Sequence, residues 1–524
     1  MTAVTIGIQF AYLFLMIAKT YTSGLWGIDS FLVEVEVDAG KGFPSFHIVG
    51  LPESSVKESK ERVKSAIKNT GYLLPQGSVT INLAPASLKK GDSSFDLPIA
   101  IGIIKATHQL DESDTSNYFL LGELALDGGI KKVIGALSST LLAKKLGMKG
   151  IILPHMNAKE ASIVSGITII PVRNLSEVIH FFQNRLVIPA EVSSFEDFLP
   201  EDKNVFNDFN EVKGQESAKR AAEIAAAGGH NLIMVGPPGS GKTMIAKRIS
   251  SILPSLGFDE AIETTQIYSI VGLTHFHKAL ITERPFRAPH HTISDVGLIG
   301  GGKYPRPGEV SLSHNGVLFL DELPEFKRNS LEVLRQPLED KVVTISRSMT
   351  TLSFPASFML VCAMNPCPCG YYGHKTKQCS CTEEQIRRYR MKISGPLLDR
   401  IDLQIEVQSV SYHDMSDIRT GKSSIEIRTN VEKTRLLQKE RYKTYKNIFN
   451  NSQLNSKLMK QFCALDDQSL SLLEKAMNHY NLSARAYDRI IKVARTIADL
   501  EFQENIKSTH IAEAIKYRCL DKSQ

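Results

Sequence analysis

Two short stretches of this chain combine residue types and spacings that can do chemistry on phosphates. Asn231-Leu-Ile-Met-Val-Gly-Pro-Pro-Gly-Ser-Gly-Lys-Thr243 places the spacing G-x-x-x-x-G-K-[ST] directly after the apolar run Leu232 to Val235. Gly236, Gly239 and Gly241 let backbone N–H groups curl around a phosphate chain without Cβ clashes, with Pro237, Pro238 and Ser240 completing the loop. Lys242 is placed to reach terminal phosphates and the Thr243 hydroxyl to ligate magnesium. A helix starting near Lys242 adds the positive end of its dipole. Further on, Gly316-Val-Leu-Phe-Leu-Asp-Glu322 reads as a second buried strand ending in two carboxylates. There Asp321 would hold the magnesium shell and Glu322 would polarise an attacking water. Two core strands with incidental Gly-Lys and Asp-Glu ends would leave the coincidence of both patterns unexplained, so the pair predicts binding of ATP with Mg2+.

Elements must position these residues. At 524 residues the chain is too long for one core, and two to four domains are expected. From Tyr21 to about Asn184 strands and helices alternate, including Phe31–Val37, Phe46–Leu51, Val79–Leu83 and Gly150–Leu153 as strands. Ser54–Thr70, Asp96–Ala106 and Leu137–Leu146 read as helices, which makes a self-contained α+β domain. Residues 187–210, with Pro189 and Pro200, read as a linker. Residues 231–407 alternate strands and helices around the phosphate loop, and the chain from about Asp417 onward is charged and helical.

The totals bound the class. Hydrophobic residues at 42% and charged residues at 23% are ordinary for a soluble globular protein. The net charge of +6, from 62 basic and 56 acidic side chains, permits nucleic-acid binding without arguing for it. Seven cysteines, four of them crowded between 367 and 381, do not form a secreted disulfide framework, and a reducing cytoplasm is expected. Ala3 to Ala18 is mostly apolar but shorter than the roughly 20 residues that span a bilayer, so no membrane segment is expected. It lacks a basic residue ahead of it and a small-residue cleavage site. An N-terminal helix or strand, a membrane-surface segment, and a translated extension ahead of the true start are its three readings.

Several stretches together resemble the YifB/ComM family of magnesium-chelatase-like AAA+ ATPases. They are Gly50-Leu-Pro52, Asn82-Leu-Ala-Pro-Ala86, Phe95-Asp-Leu-Pro-Ile-Ala100, Arg284-Pro-Phe-Arg-Ala-Pro-His-His-Thr292, the two phosphate motifs, Met364-Asn-Pro-Cys-Pro-Cys-Gly370 and Leu398-Asp-Arg-Ile-Asp402. The resemblance runs from about Ile17 to the C-terminus, so residues 1–16 are expected to be an extension and Met16 the start. It implies an α/β multidomain protein: a Lon-protease-like α+β domain over 17–186, a linker over 187–210, an AAA+ P-loop α/β core over 211–408, and a C-terminal helical lid over 409–524. Ser94 sits about where a Lon-type nucleophile would be, but Ser138 falls where its lysine should be. A hydroxyl without a base to take its proton is not a nucleophile, so the domain is expected to be proteolytically inactive and to serve as a scaffold or bind a partner.

The resemblance further implies that Asn365 is the sensor 1 residue that positions the attacking water. Arg400 would be an arginine finger reaching the γ-phosphate held by a neighbouring subunit, and Arg485 the sensor 2 arginine of the lid; for each arginine the alternative is a surface salt bridge. A finger supplied in trans implies a ring, expected to be a hexamer. The Gly-rich stretch Gly297 to Gly308 matches an insert that projects toward the pore in the chelatase and replicative-helicase branch. Lys303, Tyr304 and Arg306 would then grip a nucleic-acid strand, or else the stretch is a flexible surface loop. His290 and His291 are expected in packing or polar contacts at a subunit interface. Cys367, Cys369, Cys379 and Cys381 present two Cys-x-Cys pairs suited to a tetrahedral structural Zn2+ site, with a redox-active or metal-free loop as the alternative and His374 a spare. Cys362, Cys463 and Cys519 read as buried small hydrophobes. The function implied is an ATP-driven motor on single-stranded or branched DNA, a helicase promoting branch migration. The alternative is a chelatase-type or regulatory ATPase that remodels a protein partner.

Overall fold

The computed structural model describes residues 17–40, 42–88, 90–91, 94–110, 115–199, 208–274, 279–302, 305–347, 350–374, 376–409, 421–445, 448–518 and 520. The expected extension 1–16, and Lys303, Tyr304 and Cys519, lie outside them. The chain forms two compact units, Met1–Leu199 with Thr265–Leu280, and Pro200–Thr264 with Ile281–Gln524. Among the described residues no helix is long and apolar enough to cross a membrane.

In the first unit, strands β1 (Ala18–Trp26), β2 (Asp29–Ala39), β3 (Ser45–Val49), β4 (Ser78–Ala84) and β5 (Tyr118–Leu120) come first. A small hairpin, β6 (Glu123–Leu124) and β7 (Ile130–Lys131), precedes β8 (Gly150–Pro154) and β9 (Thr168–Val172). Seven of these build a mixed sheet in the order β3-β4-β2-β1-β5-β8-β9. The alternation in β2 explains its seat: Val33, Val35 and Val37 are wholly buried while Glu34 and Glu36 face away. Each such side chain contributes about 1.5–3 kcal/mol through burial. The helix Asp96–Ala106 is apolar nearly all round and is buried over nine of its eleven residues. At its start Asp96, whose carboxyl burial raises, is held by Arg62 at 2.7 and 3.1 Å and by the Leu124 amide at 3.1 Å.

Residues 265–280, read from sequence as part of the ATPase core, pack with the first unit. The reason is a buried carboxylate. Glu160 is 3% exposed, burial raises its pKa, and it accepts hydrogen bonds from the Ser269 hydroxyl, from Thr274 Oγ1 at 3.1 Å and from the Leu137 amide at 3.3 Å. The Ser138 hydroxyl donates to the Ile28 carbonyl at 2.5 Å and accepts from Gln266 at 3.3 Å. Ser94 is 4% exposed. Lys90, a buried amine four positions ahead of Ser94, is occupied by the Gly50 carbonyl at 2.9 Å and by that of Pro85.

The second unit carries five parallel strands. They are β10 (Leu232–Val235), β11 (Phe286–Arg287), β14 (Val317–Leu320), β17 (Met359–Met364) and β18 (Leu403–Glu406), in the order β11-β14-β17-β10-β18. Every residue of β10, β14 and β17 is buried, as expected of parallel strands covered on both faces. The C-terminal helices, among them Ser424–Tyr442 and Ala484–Leu500, share one apolar core with this sheet through the helix Glu216–Gly228. Two hairpins project from it: β12 (Gly300–Gly301) with β13 (Arg306–Pro307), and β15 (Val342–Arg347) with β16 (Thr350–Pro355).

Candidate functional site

The sequence-predicted phosphate residues converge at the C-terminal ends of β10, β14 and β17, where open parallel sheets bind ligands. Gly239 and Gly241 take φ of 76° and 88°, a turn that side-chain-bearing residues resist, and Gly241 leads into the helix Lys242–Ile252. Lys242 Nζ curls back onto the loop, donating to the carbonyls of Gly236 at 2.7 Å and Pro237 at 2.9 Å and to Asn365 Oδ1 at 3.3 Å. Burial lowers its pKa against the pull of Asp321 and Glu322. Thr243 Oγ1 donates to Asp321 Oδ2 at 2.6 Å, which brings the two magnesium-binding candidates together. The arrangement fits a magnesium nucleoside triphosphate. Among the described residues the buried Ser240 hydroxyl has no hydrogen-bond partner, and none lies within 4 Å of where a Cβ on Gly239 would stand.

Glu322 follows β14 in a left-handed conformation, φ 52°, a costly state for a residue with a side chain. Its Oε2 lies 3.4 Å from His291 Nδ1, and the rings of His290 and His291 meet at a tilt of 34° with centroids 4.1 Å apart. Sequence reasoning assigned this pair to packing or a subunit interface. The topology places His291 on a candidate catalytic carboxylate of its own chain, because β11 pairs with β14.

Arg400 and Arg485 each pair with a carboxylate of their own chain. Arg400 is 7% exposed; its guanidinium donates to the Pro396 carbonyl at 2.5 Å and pairs with Glu339 of the same chain. Arg485 is exposed and lies 3.4 Å from Asp399. Sequence reasoning missed Asp402, the last residue of the motif that contains Arg400. Burial opposes its charge, yet Arg489 and His230 hold its carboxyl far below the usual carboxylate range; it also accepts from the Asn231 amide at 3.0 Å. The network ties β10 to the helix Ala484–Leu500, since His230 Nε2 bonds Thr496 Oγ1 at 2.8 Å.

The four clustered cysteines converge after β17. Their sulfurs all lie within 4.8 Å of one another, with Cys367–Cys369, Cys369–Cys379 and Cys367–Cys379 at 3.4, 3.5 and 3.7 Å. A tetrahedral zinc with sulfur at about 2.3 Å requires edges of about 3.8 Å. Backbone N–H groups of Tyr372, Cys369 and Cys381 donate to Cys367, Cys381 and Cys379 sulfurs at 3.3, 3.4 and 3.4 Å, which favours thiolates. The amides of Tyr371 and Ser380 hold Cys369 down to about 5, while Cys379, despite the Cys381 amide, is pushed up to about 12 by burial and the neighbouring sulfurs. Four sulfurs this close suit one shared cation, which would hold them as thiolates. His374 Nδ1 instead accepts from the Thr376 and Lys377 amides at 3.1 and 3.0 Å, bracing the loop. Gly370 (φ 84°) presses against the phosphate loop, for a Cβ there would stand 2.6 Å from Pro238 Cδ. Of the candidate strand contacts, Arg306 is exposed on β13.

Comparison with known proteins agrees with this layout. The family described as "Magnesium chelatase, subunit ChlI" matches residues 208–415. "Subunit ChlI of Mg-chelatase" matches 35–157, and "Magnesium chelatase, subunit ChlI C-terminal" matches 421–518. The competence protein ComM of Haemophilus influenzae is 44% identical over 96% of this chain and 98% of its own, and YifB of Escherichia coli is 41% identical over 96% and 97%. Lon protease 2 of Bacillus subtilis is 27% identical over 28% of this chain and 29% of its own. With such similarity along nearly its whole length, the chain belongs to the YifB/ComM family of magnesium-chelatase-like AAA+ proteins.

Proposed function

We propose that this protein is an ATP-hydrolysing, ring-forming AAA+ motor that acts on DNA in the cytoplasm, a helicase promoting branch migration while transforming DNA is integrated. The observation that carries the ATPase reading is the convergence of Lys242, Thr243, Asp321, Glu322 and Asn365 at the ends of three adjacent strands. Lys242 exchanges its bonds to the loop carbonyls for phosphate oxygens. Thr243 and Asp321 hold Mg2+, whose charge is the chemistry it supplies. Glu322 orients a water and takes its proton, with Asn365 fixing the water's position. Arg400 leaves Glu339 to meet the γ-phosphate bound by a neighbouring subunit, and Arg485 leaves Asp399 to act as the sensor 2 arginine of the lid. A ring, expected to be a hexamer, follows from that sharing of residues. The first unit serves as a scaffold or binds a partner, since Ser138 stands where a Lon-type lysine would be.

The DNA part rests on the name of the Haemophilus relative, a competence protein, and on the β12–β13 hairpin that carries Arg306, with Lys303 and Tyr304 between its strands in sequence. Structural zinc is proposed for Cys367, Cys369, Cys379 and Cys381. The second reading, a chelatase-type or regulatory ATPase that remodels a protein partner, is favoured by the chelatase families matched along the chain.

The deciding experiment is the steady-state ATPase rate without DNA, with single-stranded DNA and with a branched substrate, using Glu322→Gln as the blank. Stimulation by DNA that is lost in the blank and weakened by changing Lys303 and Arg306 supports the motor. A rate indifferent to DNA transfers the reading to protein clients.

A further inference from the structure

The cysteine-bearing insertion and the helix after it, Glu383–Arg390, form a basic and aromatic surface. Residues 366–392 hold six Lys and Arg against two Glu, net +4 in a chain whose whole excess is +6. Arg387 and Arg388 are 70% and 78% exposed and share the single carboxylate of Glu384 at 3.0 and 2.8 Å. Exposed ion pairs of this kind are weak, and one carboxylate cannot neutralise two guanidinium groups. On the insertion itself Tyr372 is 49% exposed, with Arg390 5.5 Å from its ring centroid, and Lys377 stands 4.8 Å from that of Tyr371. Beside them lies an open pocket of about 500 Å³, where Phe326 and Met391 supply apolar surface, Arg328 and Arg388 supply positive charge, and Lys392 pairs with Glu325 at 3.4 Å.

We infer that this surface is a second binding site for single-stranded nucleic acid. Phosphates meet Arg387, Arg388 and Lys377, and bases stack on Tyr372 and enter the pocket. Charge alone would suit any polyanion. The exposed ring set among cations and the apolar pocket floor favour a strand whose bases are unstacked and free. Phe326 lies four positions beyond Glu322, so a strand held there touches the segment that carries the proposed catalytic carboxylate. The inference rests on the DNA reading proposed above and adds a site to it.

The test is fluorescence anisotropy of a labelled oligothymidylate with the full-length protein, titrated between about 50 and 200 mM salt. Arg387→Ala with Arg388→Ala is expected to reduce the slope of log affinity against log salt by about 1.4, some 0.7 for each lost phosphate contact. Arg387→Lys with Arg388→Lys restores the slope. Tyr372→Ala weakens binding by about fivefold or more, and Tyr372→Phe recovers it. Lys144→Ala with Lys145→Ala, which removes two exposed charges elsewhere, leaves affinity and slope unchanged. Wild-type binding with unaltered affinity and slope in the arginine and tyrosine variants overturns this site and leaves the DNA motor standing. A wild-type protein that does not bind the oligonucleotide overturns both.

Discussion

Glu322 combines a backbone conformation that costs about 1–3 kcal/mol with a carboxylate drawn toward His291. A general base held by an imidazole cannot at the same time orient a water, so the contact describes a resting arrangement. Replacing His291 by Ala is therefore expected to raise the DNA-independent ATPase rate about two- to fivefold and to shrink the further stimulation by DNA, the scale of a weak exposed ion pair. Equal losses in basal and stimulated rates would instead make His291 a group that positions Glu322 for catalysis. Asp402 is of another kind, a buried carboxylate whose ion pair with Arg489 is structural. Its folded pKa lies below the unfolded value of about 3.9, so its contribution is complete above that value and is lost as pH falls through it and lower. Asp402→Asn is expected to cost about 3–5 kcal/mol at neutral pH. The gap in urea midpoint between variant and wild type should narrow below about pH 4, and a gap constant with pH would refute the assignment.

At the scale of elements, what could be read from the sequence followed what local pattern records. The strands β10, β14 and β17 are legible as unbroken apolar runs because both their faces are covered. The cysteine cluster is legible because spacing alone limits where four thiols can meet. The β15–β16 hairpin is missed because the sequence joining its strands carries neither Asn-Gly nor Asp-Gly. The packing of residues 265–280 on the first unit is not legible, because their partner, Glu160, lies more than a hundred positions away in sequence. The inward turn of Arg400 likewise depends on Glu339, which no motif marks. The cluster itself yields a prediction. Colorimetric release should give about one zinc per chain. Because Gly370 rests on Pro238, Cys379→Ser should raise the apparent KM for ATP as well as lower the melting temperature. A folded, metal-free wild-type protein with full ATP affinity would sink it.

At the scale of the whole molecule, the unresolved tension is between a finger arginine and its observed place. Arg400 cannot serve a neighbour while its guanidinium is bound by Glu339 and Pro396, and an isolated chain would then hold a nucleotide site without its last cation. Assembly would supply a stronger partner, since a triphosphate carries more charge than one carboxylate. Specific activity should accordingly rise with protein concentration, and Arg400→Ala should cost roughly 10³-fold or more in rate. Mixing separates this from an intrachain role. Lys242→Ala and Arg400→Ala chains are each expected to be inactive alone. In a mixed ring a Lys242 site on the Arg400→Ala chain receives its arginine from an adjacent Lys242→Ala chain. Random equal mixing places that combination at about a quarter of the interfaces, so about a quarter of wild-type activity should return. If mixing restores nothing although the variants co-assemble, Arg400 works inside its own chain, where its bond to Glu339 and its backbone contact to Asn231 place it between the lid-facing motif and β10.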